Sequence, residues 1–175
     1  DKDRMSPRQA WRAIQEAIPS DAIISSDIGN NCAIGNAYPT FEKGRKYLAP
    51  GLFGPCGYGF TSILGAKIGC PDAPVIGFAG DGAFGISMNE MSSCARKEWP
   101  KITMVIFRNY QWGAEKRNSI LWFDDNFVGT ELDPELSYAK LANACGLKGV
   151  AVKTMEETTA AIKQSCEDQK KGITT

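Results

Sequence analysis

Short, continuously apolar runs alternate along this chain with stretches in which apolar residues recur every three or four positions. The runs at 22–26 (AIISS), 74–79 (PVIGFA), 102–107 (ITMVIF) and 149–153 predict strands. The run at 102–107 has no polar alternation, as expected of a strand covered on both faces. Ser6-Pro7 opens a helix, with a capping hydroxyl and proline at its first position, and Ala10, Trp11, Ile14 and Ile18 follow at helical spacing. Further helices are predicted over 60–68, 86–97 and 135–145, the last with Leu136, Ala139, Leu141, Ala142 and Cys145 inward. Thr154 and Glu157 form a capping box that opens a final helix to about Asp168. The polar tail 169–175 is expected to fray. Strands alternating with helices predict an α/β sheet protein.

Length and composition narrow the chemistry. The 175 residues (19.0 kDa) suit one domain with a real core. Twenty basic residues balance twenty acidic ones, without the basic excess of a nucleic-acid binder. There is no histidine, which excludes a Ser-His-Asp triad, an HExxH zinc site and an imidazole base. Proton transfer must then fall to other side chains or to a cofactor. The cysteines at 32, 56, 70, 94, 145 and 166 show no zinc spacing and read as thiols in a reducing compartment. No apolar run approaches the roughly 20 residues needed to cross a bilayer. No signal peptide opens the chain and it does not begin with Met, so the expectation is a cytoplasmic protein cut from a longer one.

Open parallel sheets bind ligands at the carboxyl ends of their strands. Three polar or Gly-rich turns fall there, at 27–31, 80–85 and 108–113. A glycine-rich stretch, 50–70, suggests close backbone approach to a ligand and between packed elements. Gly80-Asp81-Gly82-Ala83-Phe84-Gly85 fits the GxGxxG pattern of a dinucleotide site. Asp81 argues against that reading, because a carboxylate opposes a bare pyrophosphate at a helix N-terminus. A divalent cation between the two removes the conflict, and Mg²⁺ takes a few protein oxygens together with phosphate oxygens. Asn109, directly after the strand at 102–107, supplies a neutral second oxygen. Plainer readings stand beside these. Asp81 could be a helix cap, and Gly29-Asn30-Asn31 an ordinary turn. Cys56 reads as a packing residue, and Arg108, Lys116 and Arg117 as a solvated charged face. Trp112, Trp122 and Phe123 read as core or subunit-contact aromatics.

The GDG at 80–82, followed after twenty-six residues by Asn109, resembles the fingerprint of thiamin-diphosphate-dependent enzymes. Arg108 departs from it, standing where the family has the first of two asparagines. The resemblance implies a three-layer α/β/α fold around a mostly parallel central sheet. It also implies Mg²⁺ held by Asp81, Asn109 and the backbone carbonyl of Gln111. Cofactor contacts implied by it are Gly29, Asn30, Asn31, Gly54, Cys56, Gly80, Asp81, Gly82, Ala83, Asn109, Gln111, Gly113 and Ala114. Gly54-Pro55-Cys56-Gly57-Tyr58-Gly59 is similar to a stretch that supports the bent cofactor, with Cys56 at the position of a methionine. The likeness spans nearly the whole chain. It implies a single domain, 1–175, the C-terminal diphosphate-binding part of a longer enzyme. The glutamate that activates the cofactor is then expected outside this chain, and the domain alone is expected to be inactive.

The runs 107–118 and 124–130 most resemble sulfoacetaldehyde acetyltransferases. That implies sulfoacetaldehyde and phosphate as substrates, and acetyl phosphate and sulfite as products. Both substrates are anions, so Arg108, Lys116 and Arg117 are candidates to meet them. A homodimer or homotetramer is implied, with neither nucleic acid nor membrane as partner. The alternative within the family is an acetolactate synthase or a decarboxylase. Outside it, Arg108 would favour an NADP-binding module.

Overall fold

A computed structural model describes residues 4–40 and 46–175. Four strands form one parallel sheet: β1 (Ile23–Ser26), β2 (Lys46–Leu48), β3 (Val75–Gly80) and β4 (Thr103–Phe107), in the order β2-β1-β3-β4. From β1 the chain passes to one side to form β2, then crosses to the other for β3. The strand order therefore reverses between β1 and β3, and in open sheets such a switch point, at the carboxyl ends of the strands, is where ligands bind.

Period-two alternation sends side chains of one strand to opposite faces. Ile24, Ile76 and Phe78 meet α1 (Pro7–Ala17) and α8 (Met155–Lys170) through Trp11, Ile14, Ile162 and Cys166. Ile23, Val75 and Ala79 meet α3 (Tyr58–Gly69) through Phe60, Ile63 and Leu64. These two cores, one on each face, make the three layers. Trp11 is buried with its ring 4.9 Å from that of Phe78; truncating either aromatic to alanine is expected to cost about 3–5 kcal/mol.

The ends of α1 and α8 follow local chemistry. Ser6 and Gln9 form a reciprocal capping box at α1, and Thr154 and Glu157 form another at α8. Among the described residues no helix is long and apolar enough to cross a membrane.

Several expectations are corrected. The turn at 27–31 runs into a short helix, α2 (Asn30–Gly35). The helix expected over 86–97 begins instead at Asp81. It runs as α4 (Asp81–Ser87), passes through a 3-10 turn (Met88–Glu90) and ends as α5 (Met91–Cys94). The helix expected from 135 is α7 (Tyr138–Ala144), because Ser137 caps it by accepting from the Lys140 N–H. Leu136 is left 39% exposed.

Residues 149–153 form no strand. The edge of β4 is occupied by Thr175, whose N–H donates to the Ile102 carbonyl while its own carbonyl accepts from Met104. The tail expected to fray is thus tied down: Thr174 is buried, and Gln169 bonds both the N–H and the carbonyl of Val75. Trp122 and Phe123 belong to neither core and are 76% and 64% exposed.

Candidate functional site

The switch point gathers the three predicted turns. β3 delivers Asp81 at the first position of α4, and β4 delivers Asn109 two residues past its end. Asp81 is buried, and its Oδ2 accepts from the Asn109 N–H at 3.1 Å and the Tyr110 N–H at 2.7 Å. Its Oδ1 accepts from the Gly82 N–H at 3.1 Å. Burial pushes this carboxyl above its ordinary pKa, against the opposing pull of the amides.

Asn109 decides what Asp81 can do. With its amide oxygen inward, Asn109 Oδ1 stands 3.0 Å from Asp81 Oδ1 and 2.9 Å from the Gln111 carbonyl oxygen. With the amide turned over, its nitrogen donates to both. The Gln111 N–H also reaches Oδ1, at 3.3 Å. In the second orientation the cluster is a hydrogen-bonded turn; in the first it would present its oxygens to a cation. Mg–O bonds near 2.0–2.1 Å put neighbouring oxygens of an octahedral shell about 2.9 Å apart, which the cluster matches. One carboxylate, one amide oxygen and one carbonyl are the hard neutral-to-anionic set that Mg²⁺ accepts, and they leave its charge for phosphate.

Several of the other predicted residues lie near this cluster. Gly113 begins α6 (Gly113–Trp122) and lies against two amides; a Cβ on it would stand 2.8 Å from Asn109 Nδ2 and 3.1 Å from Asn30 Nδ2. Asn30, Asn109 and Gly113 therefore meet, which joins the β1 turn to the β4 turn. Trp112 covers Gly82 and is half-buried. Ala83 is buried in α4, and Ala114 is half-buried beside Gly113. Asn31 faces inward, its amide donating to Ser26 Oγ and the Asp27 carbonyl; Gly80 lies near its Oδ1, and Gly29 precedes α2.

Gly54 and Cys56 lie apart, along the β1 end. Gly54 packs on Ile28, and Gly57 on Ile86 and Ser87. Cys56 is exposed. Its thiol is pushed up by partial burial and then by the negative charge of Asp27 and Glu115, which keeps it neutral. Lys116 pairs with Glu131 at 2.5 Å and lies over the Phe127 ring, while Arg117 is exposed.

Sequence reasoning missed Asp27. It is fully buried at the end of β1. Its Oδ1 accepts from Ile28 at 2.9 Å and Gly57 at 3.1 Å, and its Oδ2 from Gly59 at 2.7 Å. A Cβ on Gly59 would stand 2.8 Å from the Asp27 nitrogen and 2.9 Å from the Phe78 oxygen, so only glycine lets α3 start there. An acid ending a buried strand, upstream of a stretch rich in spare N–H groups, was the signal. Tyr138 was also missed; its hydroxyl donates to the Asp81 carbonyl at 3.0 Å.

Residues 27–174 match the family model "Thiamine pyrophosphate enzyme, C-terminal TPP binding domain". The chain is 76% identical, over 99% of its length, to a probable sulfoacetaldehyde acetyltransferase of Rhizobium meliloti (strain 1021). It is 72% identical over the same share to a sulfoacetaldehyde acetyltransferase of Roseovarius nubinhibens. It spans 29% of the length of each. Acetolactate synthases match at 24–29% identity. Among solved structures, a Rhodococcus jostii RHA1 thiamine diphosphate-dependent 4-hydroxybenzoylformate decarboxylase superposes with a TM-score of 0.86. The identity there is 25%, over 95% of this chain and 31% of that one.

Proposed function

Because the chain belongs to the thiamine pyrophosphate enzymes, as their C-terminal TPP-binding domain, we propose that it grips the cofactor's diphosphate through Mg²⁺ on Asp81, Asn109 and the Gln111 carbonyl. The observation that carries this is the convergence of the Asn109 amide on Asp81 Oδ1 and the Gln111 oxygen. In the full-length enzyme the activity is that of a sulfoacetaldehyde acetyltransferase, taking sulfoacetaldehyde and phosphate to acetyl phosphate and sulfite. Identities of 70–76% to enzymes of that name support this reading over acetolactate synthase. Nothing in the comparisons favours an NADP module, and Asp81 opposes it electrostatically.

When bound, thiamin diphosphate supplies a nucleophilic carbon and, in its aminopyrimidine, a base of its own, which suits a chain without histidine. Asp81 offers the cation a full negative charge in a buried setting where that charge acts strongly. Asn109 and Gln111 complete the oxygen face without neutralising the ion. Gly82 and Gly113 let Trp112 and the amides of Asn30 and Asn109 close on the turn that holds the ligands. The segment 54–57 would back the part of the cofactor away from the diphosphate, with Cys56 contributing through its size. The enzyme works in the cytoplasm as a homodimer or homotetramer on small anionic substrates, and the lone domain has no turnover.

Calorimetry on the full-length enzyme tests the site: thiamin diphosphate binding should require Mg²⁺ and be lost in Asp81→Ala. Binding that ignores both would refute the assignment. Release of sulfite and acetyl phosphate from sulfoacetaldehyde with phosphate, but no turnover of pyruvate, tests the substrate.

A further inference from the structure

Arg108 stands one residue before Asn109 and invites a role in binding an anionic substrate. Its guanidinium is engaged elsewhere. Nη2 donates to the Pro134 carbonyl at 2.8 Å, and the group lies 4.5 Å from the Tyr110 ring centre and 6.0 Å from that of Tyr138. A second guanidinium, Arg4, stands 5.0 Å from the Tyr110 ring.

Tyr110 is the unusual residue of this turn. Its φ is +63°, the left-handed region that a non-glycine side chain resists. That conformation has a purpose. The N–H groups of Asn109 and Tyr110 are both held by Asp81 Oδ2. With the peptide before Tyr110 fixed in this way, the rotation about its N–Cα bond decides where the next peptide lies, and with it the Gln111 carbonyl. The Tyr110 carbonyl then points away and accepts from Leu132 at 2.8 Å. If Tyr110 relaxed while Asp81 held its N–H, the Gln111 carbonyl, one residue on, would swing off the cluster.

We propose that Arg108 is a positioning residue for the cation-binding turn, clamping the Tyr110 ring and so holding Tyr110 in its left-handed conformation. The proposal rests on the reading of Asp81, Asn109 and Gln111 as cation ligands. The planar guanidinium suits this work because it can stack on a ring and hydrogen-bond at its edge together. Tyr138 extends the brace: its ring lies within reach of Arg108, and its hydroxyl holds the Asp81 carbonyl.

The test is a Mg²⁺ titration of thiamin diphosphate binding to the full-length enzyme, followed by calorimetry. Arg108→Ala should raise the Mg²⁺ concentration for half-maximal binding about tenfold, the scale of left-handed strain left unsupported. In a Tyr110→Gly background the same change should shift it less than about twofold, since glycine adopts this conformation freely. Equal shifts in both backgrounds, or no shift in either, would overturn the proposal. So would a raised KM for sulfoacetaldehyde or phosphate at unchanged Mg²⁺ dependence, which would make Arg108 an anion contact. If Arg108→Ala does not fold, Arg108→Gln, which keeps a donor for Pro134 but removes the cation, is read by the same thresholds. Asp81→Asn in the same titration separates the two claims. An unchanged Mg²⁺ dependence there refutes the cation site itself, whereas a response to Asp81→Asn but not to Arg108→Ala refutes the brace alone.

Discussion

Two buried aspartates end neighbouring strands of one sheet, and their surroundings give them opposite work. Asp27 closes β1 and has both oxygens occupied by amides from Ile28, Gly57 and Gly59, which fastens the loop before α3 to the sheet. Asp81 follows β3 and takes both amides of the β4 turn on Oδ2, while its Oδ1 accepts from Gly82 and lies 3.0 Å from the end of the Asn109 amide. Burial raises the pKa of both. What separates the two is therefore not depth, charge or the number of amides but the neighbour of the second oxygen. Asp81 Oδ1 faces a side-chain amide that can present its own oxygen, which is what the proposed cation site needs.

The largest expected effect breaks the Asp81 side. Asp81→Ala should weaken Mg²⁺-dependent thiamin diphosphate binding at least about a hundredfold, measured by calorimetry, since even partners that only orient metal ligands are worth 10–100-fold. Asp27→Asn should do the reverse. It sets an amide nitrogen against N–H donors and should cost about 2–4 kcal/mol of stability in urea denaturation. Its Mg²⁺ half-saturation, measured while folded, should stay within about twofold.

Acid sharpens the contrast. For each aspartate the folded-state pKa exceeds the unfolded one, so the stability it adds is present at low pH and lost as pH rises through the folded value. A cation holds Asp81 ionised but does not reach Asp27. As pH falls from neutral toward the ordinary carboxylate range, the Tm of the parent should gain on that of Asp27→Asn with or without Mg²⁺ and cofactor. It should gain on that of Asp81→Asn only without them. Smallest of all, Lys116→Ala and Arg117→Ala lie outside both clusters and should change Mg²⁺ dependence less than about twofold.

What could be read in the sequence was local. Asp81 was legible because its glycines flank it, and Asn109 because it ends the most apolar run. β1, β3 and β4 were legible for the same reason, as were α1 and α8 from their caps. Asp27 was not, because its donors Gly57 and Gly59 lie thirty residues on and meet it only once α3 docks on β1. β2 is three residues long and half-exposed, and carries no pattern. The strand expected at 149–153 failed because an apolar run needs an open edge, and Thr175 takes the edge of β4. Arg108 looked like a free cation because its partners, Pro134 and Tyr138, come from a separate segment.

The Asn109 amide carries one more consequence. Its two faces are nearly the same shape and differ in polarity, so a half-turn of one planar group converts a donor into an acceptor while the backbone stays where it is. Loading a cation on the proposed site would then take the turn of one side-chain amide and no movement of the backbone. Its trace belongs in the vibrational or nitrogen resonance signature of a single side chain, not in any displacement of the strands around it.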